Sequence, residues 1–137
     1  ASRILQGLGI GTEYHTSDMA TLDARLKVKV LLAQALFGNP DILMMDEPTN
    51  NLDIYHATNM MKIVRRLCDE LGKTVILVLH EINYAAFYSD YICAFVDGKI
   101  AQFGTVKEVI TRENLARIYH VDFEILEIQG KPLSIYY

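Results

Sequence analysis

Three side chains in this sequence have the types and spacing to act on a phosphate. Asp46 and Glu47 are adjacent at the end of the apolar run "DILMMDE", and His80 ends the run "TVILVLH". A carboxylate at the end of an apolar strand can hold Mg²⁺, commonly through water, and the cation offsets phosphate charge. Asp46 is placed for that. A second carboxylate directly after it points elsewhere and can orient or deprotonate an attacking water as a general base. Glu47 is placed for that. An imidazole at the tip of the next strand can donate a hydrogen bond to a terminal phosphate. Singly, each has an ordinary explanation, since Asp-Glu after a strand is common turn chemistry and a strand-end histidine is commonly a surface residue. Their convergence, with "PTNNLD" between them, points to chemistry.

The elements that must position these groups follow from the apolar pattern. Leu22, Leu26, Val30, Ala33 and Phe37 recur at helical spacing, with Thr21 as the expected cap and Gly38 and Pro40 as the stop. "DILMMD" has strand length and is uniformly apolar, as expected of a strand buried on both faces. Asp53 can cap a second helix with the inner stripe Ala57, Met61, Val64, Leu67 and Leu71, ended by Gly72. "TVILVLH" is the next strand, "INYAAFYS" a two-turn helix, and "YICAFV" a third strand. Asp97 and Gly98 give a hairpin turn into "KIAQF". Thr105 with Glu108 forms a capping box, Thr111 to Tyr119 suggest a further helix, and "VDFEILEI", "QGKP" and "LSIYY" close as a hairpin. Alternating strands and helices imply an α/β fold with a parallel sheet, right-handed helical crossovers and a C-terminal β-hairpin. Sites in such sheets gather at the carboxyl ends of strands, where Asp46, Glu47 and His80 stand.

Composition sets bounds. At 137 residues the chain is expected to form one domain, 1–137. With 51% apolar and 22% charged residues it is globular, and no window approaches the roughly 18 uninterrupted apolar residues of a membrane span. A net charge of −4 argues against non-specific binding of nucleic acid. The first residues lack the pattern of a secretory signal, so the expected location is cytoplasmic. Cys68 and Cys93 sit in apolar runs without CxxC spacing and are expected to be buried reduced thiols. The tyrosines are expected in core and interface packing, "KIVRR" on a solvated helix face, and neither His56 nor His120 in a metal site.

The run "LLAQALFGNPDILMMDEPTNNLD" resembles the ABC ATPases, in which an apolar strand ending Asp-Glu is the Walker B motif and "NNLD" the D-loop. "VILVLHEINYA" is similar to the switch-histidine region of the same family. The resemblance implies that Asp46 is the Mg²⁺-associated aspartate, Glu47 the catalytic base, Asp53 the D-loop aspartate that signals across a dimer, and His80 the catalytic switch. Two subfamilies are resembled. "LKVKVLLAQALFGNPDIL" is similar to the F subfamily, which acts on the ribosome, while the chain from about Asn51 onward resembles the ATP-binding subunit of a siderophore importer. A hybrid is implied, with 1–50 of the first kind and 51–137 of the second.

Other parts of the family pattern are absent. ABC ATPases hold the triphosphate through GxxxxGK[ST], whose amides cradle phosphates while its lysine reaches the terminal ones. The nearest run, "GLGIGT" from Gly7 to Thr12, has no lysine and is expected to be a turn between short helical pieces. No Q-loop is found. Where the family has LSGGQ, this chain reads "LDARL", Leu22 to Leu26; Asp23 repels a phosphate, Arg25 attracts one, and the bulk of both obstructs approach to a helix N-terminus. The phosphate-loop strand of the family would lie between the strand ending at His80 and that of Tyr91–Val96. Its loss is expected either to bring the latter beside the His80 strand, giving three parallel strands, or to recruit an edge from another copy. Mg-ATP is therefore the family's cofactor, but none is expected on this chain alone. Expected partners are a further copy of the chain and, if the importer resemblance holds, a membrane permease; nucleic acid is not expected. One alternative is an ATP-hydrolysing importer subunit whose phosphate loop comes from another chain. Another is an artificial folded oligomer without nucleotide function.

Overall fold

A computed structural model describes residues 2–137, except the side chains of Ser2, Ala24 and Arg25, so the electrostatic role expected of Arg25 lies outside the described residues. The chain divides into two compact units, Ala1–Val78 and Leu79–Tyr137.

In the first unit, helix α1 (Ser2–Gly7) precedes two short 3-10 turns and helix α2 (Ala24–Leu36). Strand β1 (Ile42–Asp46), helix α3 (Ile54–Leu71) and strand β2 (Thr74–Val78) then form one crossover, with β1 and β2 parallel and Asp46 opposite Val78. The core gathers Leu32, Ala33, Leu43, Met60, Val64 and Leu67, with Met45, Val75 and Leu77 packed against them. Odd-numbered strand residues therefore face the helices. The even-numbered ones do not: Ile42 is 62% exposed and Met44 72%. The expectation of burial on both faces is corrected, because helices cover one side of this two-stranded sheet and no described element of the unit covers the other. Two details of the helices also differ. Thr21 does not cap α2; its hydroxyl bonds to the Asp18 carbonyl, and Asp23 caps the helix by accepting from the Leu26 amide at 2.8 Å. On α3, Leu71 is 60% exposed and Met60 is buried in its place, since the helix turns its last residue outward before Gly72 stops it in the left-handed region at φ 62°.

In the second unit, helix α4 (Ile82–Tyr88) leads to the antiparallel pair β3 (Tyr91–Val96) and β4 (Lys99–Thr105), helices α5 (Val106–Val109) and α6 (Arg112–Tyr119), and the hairpin β5 (Glu124–Ile128) and β6 (Lys131–Ile135). Asp97 and Gly98, at φ 49° and 72°, make the two-residue turn between β3 and β4 that their sequence specifies. The last turn is shorter than "QGKP": Gln129 and Gly130 alone form it, and Pro132 lies in β6 opposite Glu127. Ala86, Val106, Ile110, Leu115 and Phe123 form the core of this unit. Asn83 ties α4 to β6, donating to the Ser134 carbonyl at 3.1 Å and accepting from its amide at 2.8 Å.

The anticipated three parallel strands are not formed. β2 pairs with β1, and β3 with β4. β3 keeps the hairpin that its turn and register specify. The cysteines also depart from expectation. Neither is in a disulfide, Cys68 is half-buried, and Cys93 is exposed, because β3 alternates and sends Tyr91, Cys93 and Phe95 outward. The tyrosines divide between packing and surface: Tyr84 and Tyr88 are half-buried, whereas Tyr91 is 63% exposed and Tyr137 fully so.

Candidate functional site

The carboxyl end of β1 carries Asp46 and Glu47, two of the residues singled out in the sequence. Asp46 is the last residue of the strand and is exposed; Glu47, directly after it, is half-buried. The chain does not simply leave the sheet there. The Glu47 amide donates to the Val78 carbonyl at 3.1 Å, which extends the ladder by one residue, and Glu47 adopts φ 44°. A non-glycine residue in the left-handed region costs roughly 1–2 kcal/mol, and such residues cluster where function demands them. The Glu47 side chain projects from this turn. Asn50 then fixes it, its amide nitrogen Nδ2 donating to Glu47 Oε2 at 3.0 Å while its backbone N–H closes on the Glu47 carbonyl at 2.9 Å.

The turn continues through Asn51, at φ 59°, to Asp53. Asp53 caps α3 by accepting from the His56 amide at 2.8 Å, and the imidazole Nδ1 of His56 lies 2.8 and 2.7 Å from its two carboxylate oxygens. These bonds hold the Asp53 carboxyl below its usual range, the backbone bond from His56 contributing most and the ring bond next. Sequence reading found Asp53 but missed His56, although an i,i+3 Asp-to-His spacing across a helix start was the available signal.

His80 does not lie in a strand. β2 ends at Val78, and His80 follows it, exposed, in the second unit. Asp46, Glu47 and Asp53 are thus joined by one turn within the first unit, and His80 belongs to the second.

The donor set at the end of β1 fits a hard cation, since Asp46 and Glu47 offer carboxylate oxygens and Asp46 is open to water. Among the described residues no group of three or more histidine, cysteine or acidic side chains is clustered as a closed metal site. A triphosphate is not fitted by Gly7–Thr12. The amides of Leu8, Gly9 and Ile10 already donate to the carbonyls of Ile4, Leu5 and Gln6, as in a helix end, and Leu8 and Ile10 are buried, at 8% and 2% exposure. The segment is a turn between helical pieces, as its sequence suggested. At α2, the Asp23 carboxylate occupies the helix N-terminus where an anion would otherwise be drawn.

No helix in the described chain is long and apolar enough to cross a membrane. No protein-family model matches the sequence. The petrobactin import ATP-binding protein of Bacillus subtilis is 38% identical over 109 residues, which is 80% of this chain and 43% of that protein. The ferric enterobactin transport ATP-binding protein of Escherichia coli is 32% identical over 136 residues, 98% of this chain and 50% of that protein. The chain thus spans about half the length of the curated relatives it matches. Among solved structures, a metal-chelate type ABC transporter in an inward-facing conformation superposes with a TM-score of 0.88 over 98% of this chain and 55% of its own, at 18% identity.

Proposed function

We propose, from the premise that this chain is a homologue of the C-terminal part of ABC transporter ATP-binding subunits, that it carries the hydrolytic half of an ATP-binding unit and acts on ATP together with a phosphate loop that lies outside these 137 residues. The observation that carries this reading is the contrast within the first unit. Asp46 and Glu47 stand at a strand's carboxyl end with Glu47 held by Asn50, while the glycine-spaced segment has its amides committed to its own helix.

In this reading Mg-ATP, bound chiefly by that loop, would supply the reacting phosphate. Asp46 would hold the cation through its exposed carboxylate. Glu47 takes the proton from an attacking water, its side chain steadied by Asn50. His80 donates to the terminal phosphate, and Asp53, at the start of α3, meets the second half of a dimer. Alone, the chain neither grips nor turns over ATP. The relatives' roles in petrobactin and ferric enterobactin import make iron-siderophore import the system we assign, with a cytoplasmic location and a membrane permease as partner. A hybrid origin, with a seam near residue 50, is part of the same proposal.

A second reading, a folded oligomer without nucleotide function, is favoured by the bare apolar face of the β1–β2 pair, where Ile42, Met44, Ile76 and Val78 are between 46% and 72% exposed. Adding a fragment that carries the absent half separates the two. Magnesium-dependent phosphate release that disappears with Glu47→Gln supports the first; self-association unaffected by fragment and nucleotide, with no release, supports the second.

A further inference from the structure

His56 plays no part in the chemistry proposed above, yet it makes the tightest polar contacts near it. Its amide donates to Asp53 Oδ1 at 2.8 Å, and its ring Nδ1 lies 2.8 Å from Oδ1 and 2.7 Å from Oδ2. An ionised carboxylate only accepts hydrogen bonds, so the hydrogen between them belongs to Nδ1, which leaves Nε2 as the bare nitrogen of the neutral ring. One residue therefore grips the carboxylate twice, from the main chain and from the ring. We infer that His56 is a positioning residue for Asp53: through its amide and its ring it pins the carboxylate to the first turn of α3.

The surroundings fit that assignment. On the same helix the Tyr55 ring meets the imidazole edge-on, with centroids 5.1 Å apart and planes at 84°. From α2, Lys29 lines with His56, Asn59 and Met60 a small cavity of about 130 Å³. Asp53 itself is held in the ionised form by the His56 bonds. Amide and ring together hold the carboxylate in one orientation at the start of α3. The consequence for a dimer rests on the reading of Asp53 as the residue that signals across it. The grip does not.

Long-range imidazole NMR on the intact chain, with the Asp53 carboxyl followed through an acid titration, tests it. The variants are His56→Phe, which keeps a ring without a donor, and His56→Asn, whose Nδ2 stands where Nδ1 stood. The ring should be the Nδ1–H tautomer at pH 8, the Asp53 midpoint should move upward in His56→Phe, and His56→Asn should restore it. An Nε2–H tautomer, or one Asp53 midpoint shared by all three proteins, overturns the inference. If His56→Phe fails to fold, the tautomer of the native chain decides alone. None of these readouts needs nucleotide, so they stand or fall apart from the complementation assay.

Discussion

The amide of Glu47 donates to the carbonyl of Val78 at 3.1 Å, so β1 and β2 stay paired one residue past the strand that ends at Asp46. That bond is made with Glu47 in the left-handed region, and the two facts together fix where its carboxylate goes. A glycine takes up the same backbone without steric cost. Glu47→Gly should therefore raise stability by about 1 kcal/mol, while abolishing phosphate release in the complemented system. Chemical denaturation checks the first part, and a Glu47→Gly protein less stable than the native one would contradict it.

If Glu47 is the base, replacing its carboxylate with an isosteric amide should leave folding intact. The expected result for Glu47→Gln is a loss of about 100-fold or more in magnesium-dependent phosphate release, in the presence of a fragment carrying the absent half. Equal rates for both proteins would remove Glu47 from the mechanism.

The cap of α2 is a carboxylate in the position where the family's signature places small residues. Asp23→Ala removes the bond to the Leu26 amide and should cost about 1 kcal/mol. Thr21→Ala, losing a hydroxyl bond to Asp18 in an exposed 3-10 turn, should cost much less. Equal losses in a thermal melt would mean that the cap is misassigned.

How far the sequence could be read follows from such local detail. Asp53, Gly72, the Asp97-Gly98 turn and the Thr105–Glu108 box were legible because each is decided by a few neighbouring residues with a specific hydrogen-bonding or φ requirement. Asp23 was missed because the helical stripe begins at Leu22 and Thr21 precedes it as a cap should. What was not legible depends on distant partners. The pattern of "DILMMD" is that of a strand covered on both sides, and only the fold reveals that Ile42 and Met44 are bare. The β3–β4 hairpin was legible from its turn, whereas the absence of a β2–β3 pair was not. The charge-bearing site was legible in residue types, but the hold of Asn50 on Glu47 and of His56 on Asp53 was not.

Acidification should destabilise the protein. Asp53, Asp69, Glu70 and Glu108 are all held below the ordinary carboxylate range: Asp53 and Glu108 chiefly by backbone N–H donors at helix starts, Asp69 and Glu70 by Arg65 and Arg66. A depressed folded-state value means stability that is complete above the unfolded value, near pH 4, and lost as pH falls through the folded one. These four groups thus contribute nothing to pH dependence between pH 7 and about pH 5 and a progressive loss below about pH 4. All four are exposed, so added salt should weaken the effect of the two arginine pairs. A melting temperature that rises between pH 5 and pH 3 would contradict this.

The central proposal is that Asp46 and Glu47 act on a triphosphate gripped by a phosphate loop outside these 137 residues, and calorimetric titration of this chain with Mg-ATP tests it most directly. The account predicts no saturable heat from the chain alone, and binding once the fragment with the phosphate loop is present. Micromolar binding by the chain alone would contradict it.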